Sequence, residues 1–380
     1  MGSIRYSHKV LESLCVDAFE KFGFSKEEAE QITDVLILAD LYNVRSHGTQ
    51  RIARYHKSIE NGAVKVGAKP EIVFETPVSA VIDGHSGMGQ LVSVFAMKKA
   101  IEKAKKSGVG IISVRNSNHY GIAGYYAKMA CDEGLIGMSA TNSESICVHT
   151  NSKEALLGSN PIAFAFPAEP YPFWFDAATT VVPRGKLEVY GKEDKPLADG
   201  WATDENGDVC TDAEHVLKCI SDENSCGGIL PVGGKKEETG SHKGYGYSMI
   251  CEIMCSILSL GNTSNHLVRE KGHGTETCHS FVAVNPEIFG DANAIKEHLS
   301  VFLQELRDAK RADENVPIYT HGEKELRGLK KYLEEGIDVN INTVSEMINM
   351  CNYLGIDSTK YLGEVDISNA KQSSYEKEYK

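Results

Sequence analysis

Residues 110–126 read Gly-Ile-Ile-Ser-Val-Arg-Asn-Ser-Asn-His-Tyr-Gly-Ile-Ala-Gly-Tyr-Tyr. The β-branched run at 111–114 predicts a short buried strand. Residues 116–121 are polar and close on a glycine, which predicts a loop, and helix-forming residues follow from Ala123. Strand, loop and helix in direct succession are the building unit of an α/β fold. The loop carries His119 between two rigid elements, exposed but positioned, as catalytic groups often are. Asn116, Ser117 and Asn118 have a second use, capping the helix that follows. The two uses are compatible: Asn118 can serve a substrate oxygen while His119 handles a proton.

The alternation continues on both sides. Short β-type runs occur at 72–74, 80–82, 136–140, 162–166 and 281–284, with a helical segment at 92–106. Residues 7–62 read as helical, with a capping box between Ser25 and Glu28 and a break at Asn61-Gly62. Residues 245–260 are strongly apolar and predict a buried helix. After Asn293 the chain is helical and charged through Leu354, and the tail from Ser373 is expected to fray.

Inside the first helical region, residues 46–55 read Ser-His-Gly-Thr-Gln-Arg-Ile-Ala-Arg-Tyr. In a helix of about 3.6 residues per turn, His47, Arg51 and Tyr55 at i, i+4 and i+8 lie near one face. A guanidinium holds a carboxylate through two parallel hydrogen bonds, and an imidazole moves a proton near neutral pH. The face suits a small acid with a carbonyl or hydroxyl beside its carboxylate. For this stretch alone, the plainer reading is a solvated helix face where the three residues meet by chance.

The chain has 380 residues, 41% hydrophobic and 24% charged, enough for two domains and a sizeable core. Forty basic against 53 acidic residues give a net charge of −13, which argues against a nucleic-acid surface. A local arginine can still reverse the field inside a cleft. No run approaches the ~20 apolar residues of a membrane helix, and the polar start lacks a signal peptide. Ten cysteines without a Cys-x-x-Cys pair fit free thiols in a reducing cytoplasm, with Cys251 and Cys255 in the core.

Residues 204–208, Asp-Glu-Asn-Gly-Asp, carry their glycine too early for a calcium loop and predict a turn. His266, His273, Cys278 and His279 follow no zinc spacing, and no metal is expected. Residues 83–89, Asp-Gly-His-Ser-Gly-Met-Gly, follow a strand but miss the Gly-x-Gly-x-x-Gly spacing of a dinucleotide loop. A glycine-rich turn is the better reading.

Ser46-His47-Gly48 with Arg51 and Tyr55, then Asn116-Ser117-Asn118-His119-Tyr120-Gly121, resemble the type-2 malate/L-lactate dehydrogenase family. The match continues in order through Thr141-Asn142-Ser143, Gly158-Ser159-Asn160-Pro161 and Phe175-Asp176-Ala177-Ala178-Thr179-Thr180. Leu230-Pro231-Val232-Gly233-Gly234 and His242-Lys243-Gly244-Tyr245-Gly246 complete it. Residues 175–246 look most like members acting on malate; other members act on sulfolactate, ureidoglycolate, diketogulonate or cyclic imines.

The resemblance implies an α/β fold with a mixed, largely antiparallel sheet flanked by helices. It implies a non-Rossmann NAD(P)-binding domain over 76–309 and a helical domain built from 1–75 with 310–380. The implied activity is hydride transfer between NAD(P) and a 2-hydroxy or 2-oxo acid, malate and oxaloacetate first. Lactate, sulfolactate, ureidoglycolate or a cyclic imine are alternatives, as is a non-catalytic dinucleotide-binding protein. A homodimer is expected.

His119 and His47 are the implied catalytic pair, with His119 favoured as the acid. Arg51, Tyr55 and Asn118 are expected at the substrate, with Arg54 or Arg184 as candidates for a second carboxylate. Ser143, Asp176, Ala177, Ala178, Lys243 and Gly244 are expected at the cofactor. Asp176 could equally cap a helix begun by Thr179 and Thr180. Lys243 and Gly244 open a helix whose first amides suit a pyrophosphate. Residues 321–324 match a further cofactor-side segment.

Overall fold

The computed structural model describes residues 2–192, 194–222, 224–267, 273–368 and 370; the tail expected to fray from Ser373 lies outside them. The chain opens with β1 (Ser3–Tyr6), α1 (His8–Lys21) and α2 (Lys26–Leu41). Leu11, Leu14, Cys15, Ala18 and Phe19 recur at helical spacing and form the buried face of α1. The Ser25–Glu28 capping box closes in both directions and starts α2; losing it costs about 1 kcal/mol. Two short 3-10 turns, Arg45–His47 and Thr49–Arg51, then lead into α3 (Ile52–Glu60). The single helix expected across 46–55 is split, because Gly48 is extended at φ −87° and ψ −150°.

The middle of the chain alternates as its sequence does. It runs through β2 (Glu71–Glu75), β3 (Ser79–Asp83), α4 (Gly89–Ser107), β4 (Val109–Ser117), α5 (Ala123–Asp132) and β5 (Ile136–Thr141). Next come β6 (Cys147–Val148), β7 (Ala155–Leu157), β8 (Ile162–Phe166), β9 (Phe173–Ala177) and α6 (Arg184–Lys192). β10 (Ala202–Thr203), α7 (Ala213–Ser221), β11 (Gly228–Ile229), α8 (Ser241–Glu252) and β12 (Thr277–Val284) follow. The last part holds α9 (Ala292–Arg307), α10 (Glu323–Glu335), β13 (Ile337–Asn340) and α11 (Ile341–Leu354).

Seven strands form the main sheet in the order β2-β3-β4-β12-β5-β8-β9. Only β3 and β4 run parallel, joined by α4; every other neighbouring pair is antiparallel. The sheet is therefore mixed and largely antiparallel. β2 belongs to it as an edge strand, Glu71 opposite Asp83, although residues 71–75 fall within the stretch expected to be helical domain. A small sheet, β10-β11-β6-β7, and a pair, β1-β13, were not legible in the sequence, because their strands are too short to show a period of two.

Three cores hold these layers. Leu14, Phe19, Leu36 and Ile52 from the start of the chain pack with Val344, Met350 and Cys351 from its end. Met97 of α4 and Tyr126 of α5 pack on Ile112 and Phe281 of the sheet. Leu187 of α6 and Val216 of α7 pack with Ile229 of the small sheet. Among the described residues, no helix is long and apolar enough to cross a membrane.

Residues 245–260 are not the buried helix expected. α8 passes into a π-helical turn, Ile253–Ile257, and its two faces are reversed from the usual amphipathic plan. The small residues Gly244, Ser248, Cys251, Cys255 and Ser259 face inward and are buried. Tyr247, Ile250, Ile253, Ile257, Leu258 and Leu260 are exposed. Small side chains let the helix lie close to the sheet, and the same periodicity turns the large ones outward.

Candidate active site

The segment that bears His47 is tied down from behind. Asp40, buried near the end of α2, accepts hydrogen bonds from Thr49 N at 2.8 Å and Thr49 Oγ1 at 2.7 Å. Burial pushes its carboxyl up to about 6, and the Thr49 bonds oppose that rise. Gly48 packs directly on this carboxylate; a Cβ there would stand 2.0 Å from Asp40 Oδ1. The 3-10 break is thus built into Ser-His-Gly-Thr, and it swings His47 and Arg51 toward the same side.

His119 is aimed by a bulge. β4 continues through Ser117, past the loop start expected at 116, because pairing with β12 resumes at Ser117–Thr277 after a register shift. Asn116 takes a left-handed φ of 53°, which asparagine tolerates, and its amide donates to Asp83. The loop then lies across the start of α4, where a Cβ on Gly89 would stand 2.2 Å from Asn118 O and 2.3 Å from His119 O. The glycine-rich turn after β3 therefore holds the His119 loop, and its helix start is covered by protein. None of Asn116, Ser117 or Asn118 caps α5, whose N-cap is Ile122.

The two imidazoles meet. Their ring centroids are 5.4 Å apart with planes 25° from parallel. His47 Nδ1 is 2.9 Å from Ser46 Oγ. His119 Nδ1 is 2.7 Å from Tyr55 Oη, which also accepts from Gln90 Nε2 at 2.9 Å. The backbone N–H of Gly121 also points at His119 Nδ1, at 3.4 Å. Burial, with Arg51 and Arg54 nearby, holds His47 down at about 4. Burial first, then His47 and the same arginines, holds His119 well below the usual imidazole range. Burial lifts the Tyr55 phenol to about 12. Arg51 Nε donates to Ser46 O at 2.5 Å, which leaves its two terminal nitrogens for a ligand.

His47, Arg51, Arg54, His119 and Ser143 share the wall of one cavity of about 440 Å³ with Glu144, Arg184 and Glu188. This is within the roughly 300–1,000 Å³ of small-molecule sites. A larger hollow of about 740 Å³ opens beside Ser145, Leu156 and His266. Its described walls carry neither an arginine nor paired imidazoles, so size does not locate the chemistry. Arg184 is paired with Glu188 at 3.3 Å, and the same wall carries Arg51, Arg54 and Glu144.

Other expected site residues lie outside that wall. Tyr55 stands behind His119. Asn118 is buried and spent on the protein: its amide donates to the carbonyls of Ser86 and Gly87, and its oxygen accepts from Thr275. Asp176 caps a helix, though a different one from that expected. No helix starts at Thr179, and Asp176 Oδ2 accepts from Gly124 N at 2.7 Å, in the first turn of α5. Crowding by protein pushes its carboxyl up to about 6, although water still reaches it. Ala177 ends β9 and pairs with Ile162, and Ala178 follows. Lys243 is exposed in the first turn of α8, and Gly244 is packed against the Val232 backbone.

Ser143 Oγ accepts from Ser159 N at 2.9 Å and shows its other side to the cavity. The segment expected as a loop at 321–324 runs into a helix, and Glu323, the first residue of α10, is buried between Arg307 and Arg327. His279 is a core residue, bonded to Thr141 and Ser117 and stacked on Tyr120, and burial holds it down at about 3. Sequence reasoning missed Gln90, whose only signal is a polar residue at the start of an apolar helix. It also gave Ser46 no role.

The sequence profile described as malate/L-lactate dehydrogenase matches residues 6–348. The chain belongs to this family of NAD(P)-using dehydrogenases. It is 39% identical to the malate dehydrogenase of Pyrococcus abyssi, over 93% of this chain and 96% of that one. It is 36% identical to the L-sulfolactate dehydrogenase of Methanocaldococcus jannaschii, over 92% and 97% of the two chains. Its fold superposes on the crystal structure of malate dehydrogenase from Entamoeba histolytica with a TM-score of 0.90 and 36% identity, covering 94% of this chain and 99% of that one.

Proposed function

We propose that the chain interconverts a 2-hydroxy acid and its 2-oxo acid, with malate and oxaloacetate as the pair. The carrying observation is the convergence of His47, Arg51 and His119 on one cavity, with Arg54 on the same wall. NAD(P), when bound, supplies or accepts the hydride. Ser143 beside His119 is the wall residue suited to it, and the cavity has room for a flat ring and a small acid. Arg51 holds the C1 carboxylate through its two free terminal nitrogens and so orients C2. Arg54 meets the far carboxylate, which favours a dicarboxylate over lactate.

The hydrogen bonds divide the proton work. A Tyr55 hydroxyl that accepts from Gln90 has one proton left, and it goes to His119 Nδ1. The Gly121 N–H can only donate, and it points at the same nitrogen. His119 is then neutral with its proton on Nε2, a donor to the substrate oxygen. The Ser46 hydroxyl can donate to or accept from Nδ1 of His47, so this ring can be neutral or charged. His47 is the acid in reduction and the base in oxidation, and His119 steadies the oxyanion. This reverses the sequence-based preference for His119 as the acid. Substrate carboxylates bring the negative charge that lets His47 hold a second proton beside Arg51.

A substrate panel followed at the NAD(P)H absorbance tests this reading. Malate should exceed lactate in kcat/KM by at least about tenfold, or roughly 1.4 kcal/mol. Lactate or sulfolactate turned over better than malate would overturn the substrate choice. A second copy of the chain is the proposed cover for the exposed face of Tyr247, Ile250, Ile253 and Ile257, a contiguous apolar surface of the kind that marks interfaces. Ile253→Asp should convert a dimer to a monomer in sedimentation; an unchanged mass would assign the interface elsewhere.

A further inference from the structure

The turn at 204–208 and helix α7 gather three donors of different chemistry, outside the wall of the catalytic cavity. His215 and Cys219 stand at i and i+4 on α7 and share a face. Glu205 reaches them from the turn. Its Oε2 is 2.7 Å from His215 Nε2 and 3.7 Å from Cys219 Sγ. One ligand atom from each residue lies within 4.8 Å of the other two.

Both backbones are fixed independently of these contacts. Asp204 Oδ1 accepts from the amides of Asn206 and Asp208, each at 2.9 Å, and closes the turn. Asp212 caps α7 by accepting from His215 N at 3.0 Å. Cys219 is buried, whereas the Glu205 and His215 side chains are open to solvent.

We propose that Glu205, His215 and Cys219 bind a zinc-type transition-metal dication, with water in the fourth position. Thiolate, imidazole and carboxylate together are the donor set of such ions, while magnesium and calcium take oxygen ligands. Around a tetrahedral ion with bonds of about 2.0–2.3 Å, ligand atoms stand roughly 3.3–3.7 Å apart. The Glu205–Cys219 separation already meets this. The His215–Glu205 pair opens by about half an ångström as the ion replaces the hydrogen bond between them. Cys219 gives up its thiol proton to solvent and binds as thiolate, and His215 binds through the Nε2 lone pair. The ion ties the β10 turn to α7 and so clips the small sheet to its covering helix. The calcium-like turn thus has a use for its glutamate, with partners 10 and 14 residues further on.

The test uses the full chain, stripped with a chelator, desalted and titrated with cobalt(II). One cobalt should bind per chain, with the near-ultraviolet absorption of a sulfur-to-metal charge transfer. Cys219→Ser should remove that absorption, and His215→Gln should weaken binding at least about tenfold. Zinc(II) should raise the thermal midpoint of the unaltered protein but of neither variant, and both variants should keep their dehydrogenase turnover. Three results would overturn the site: no charge-transfer band in the unaltered protein, a band of equal affinity in both variants, or an equal thermal shift with magnesium.

Discussion

His47 stands on a 3-10 turn and leans on its own neighbour, the Ser46 hydroxyl. His119 stands on a loop after a bulged strand and leans on Tyr55 from α3, which leans in turn on Gln90 from α4. The rings touch, feel the same two arginines and are both held neutral near pH 7. Their partners separate them. A hydroxyl that can turn round lets a ring gain and lose a proton. A phenol that already has a donor behind it fixes one tautomer. Two histidines in one cavity need not share one job, and in the proposed mechanism the groups behind them decide the division.

Removing each ring is the strongest way to break this comparison. His47→Gln should lower kcat for malate oxidation by roughly 10³-fold, in the range of lost general acid–base catalysis. His119→Gln should cost less, about 10²-fold, the lower end of what one lost donor to the oxyanion costs. Equal losses, or a larger loss at His119, would reverse the assignment. Tyr55→Phe should lower kcat by about tenfold with little change in KM, about 1.4 kcal/mol, because His119 loses its fixed tautomer.

The acid limb of kcat/KM for oxidation sharpens the comparison further. The base must be neutral, and the free protein holds His47 at about 4. Activity should therefore persist as pH falls through 6.5, the ordinary imidazole value, and fail only toward about 4. Arg54→Gln removes one of the charges behind that depression and should move the limb upward. Ser46→Ala should have the smallest effect, a few-fold in kcat, for one hydrogen bond of about 0.5–1.5 kcal/mol.

What could be seen in the sequence was local. The strand at 111–114, the helix from Ala123 and the Ser25 capping box needed only neighbouring residues, and all three are present. The meeting of His47, Arg51 and His119 followed from ordered motifs. What escaped depended on distant partners. The helix expected over 46–55 breaks because Gly48 packs on Asp40, a contact no periodicity encodes. Asn118 had the chemistry to bind substrate, but carbonyls from the 83–89 turn take its amide. Asp176 had the chemistry of a cap, but the helix it caps lies 52 residues back in the chain. The outward face of α8 read as core because an apolar run does not say which of its sides the protein buries.

Nitrogen-15 spectra of the histidine rings, recorded with cofactor bound and a non-reactive dicarboxylate in place of malate, test the division of roles most directly. His119 should stay neutral with its proton on Nε2 as pH falls through about 6.5, the ordinary imidazole value, while His47 takes up a second proton when the dicarboxylate binds. A doubly protonated His119 beside a neutral His47 would contradict it.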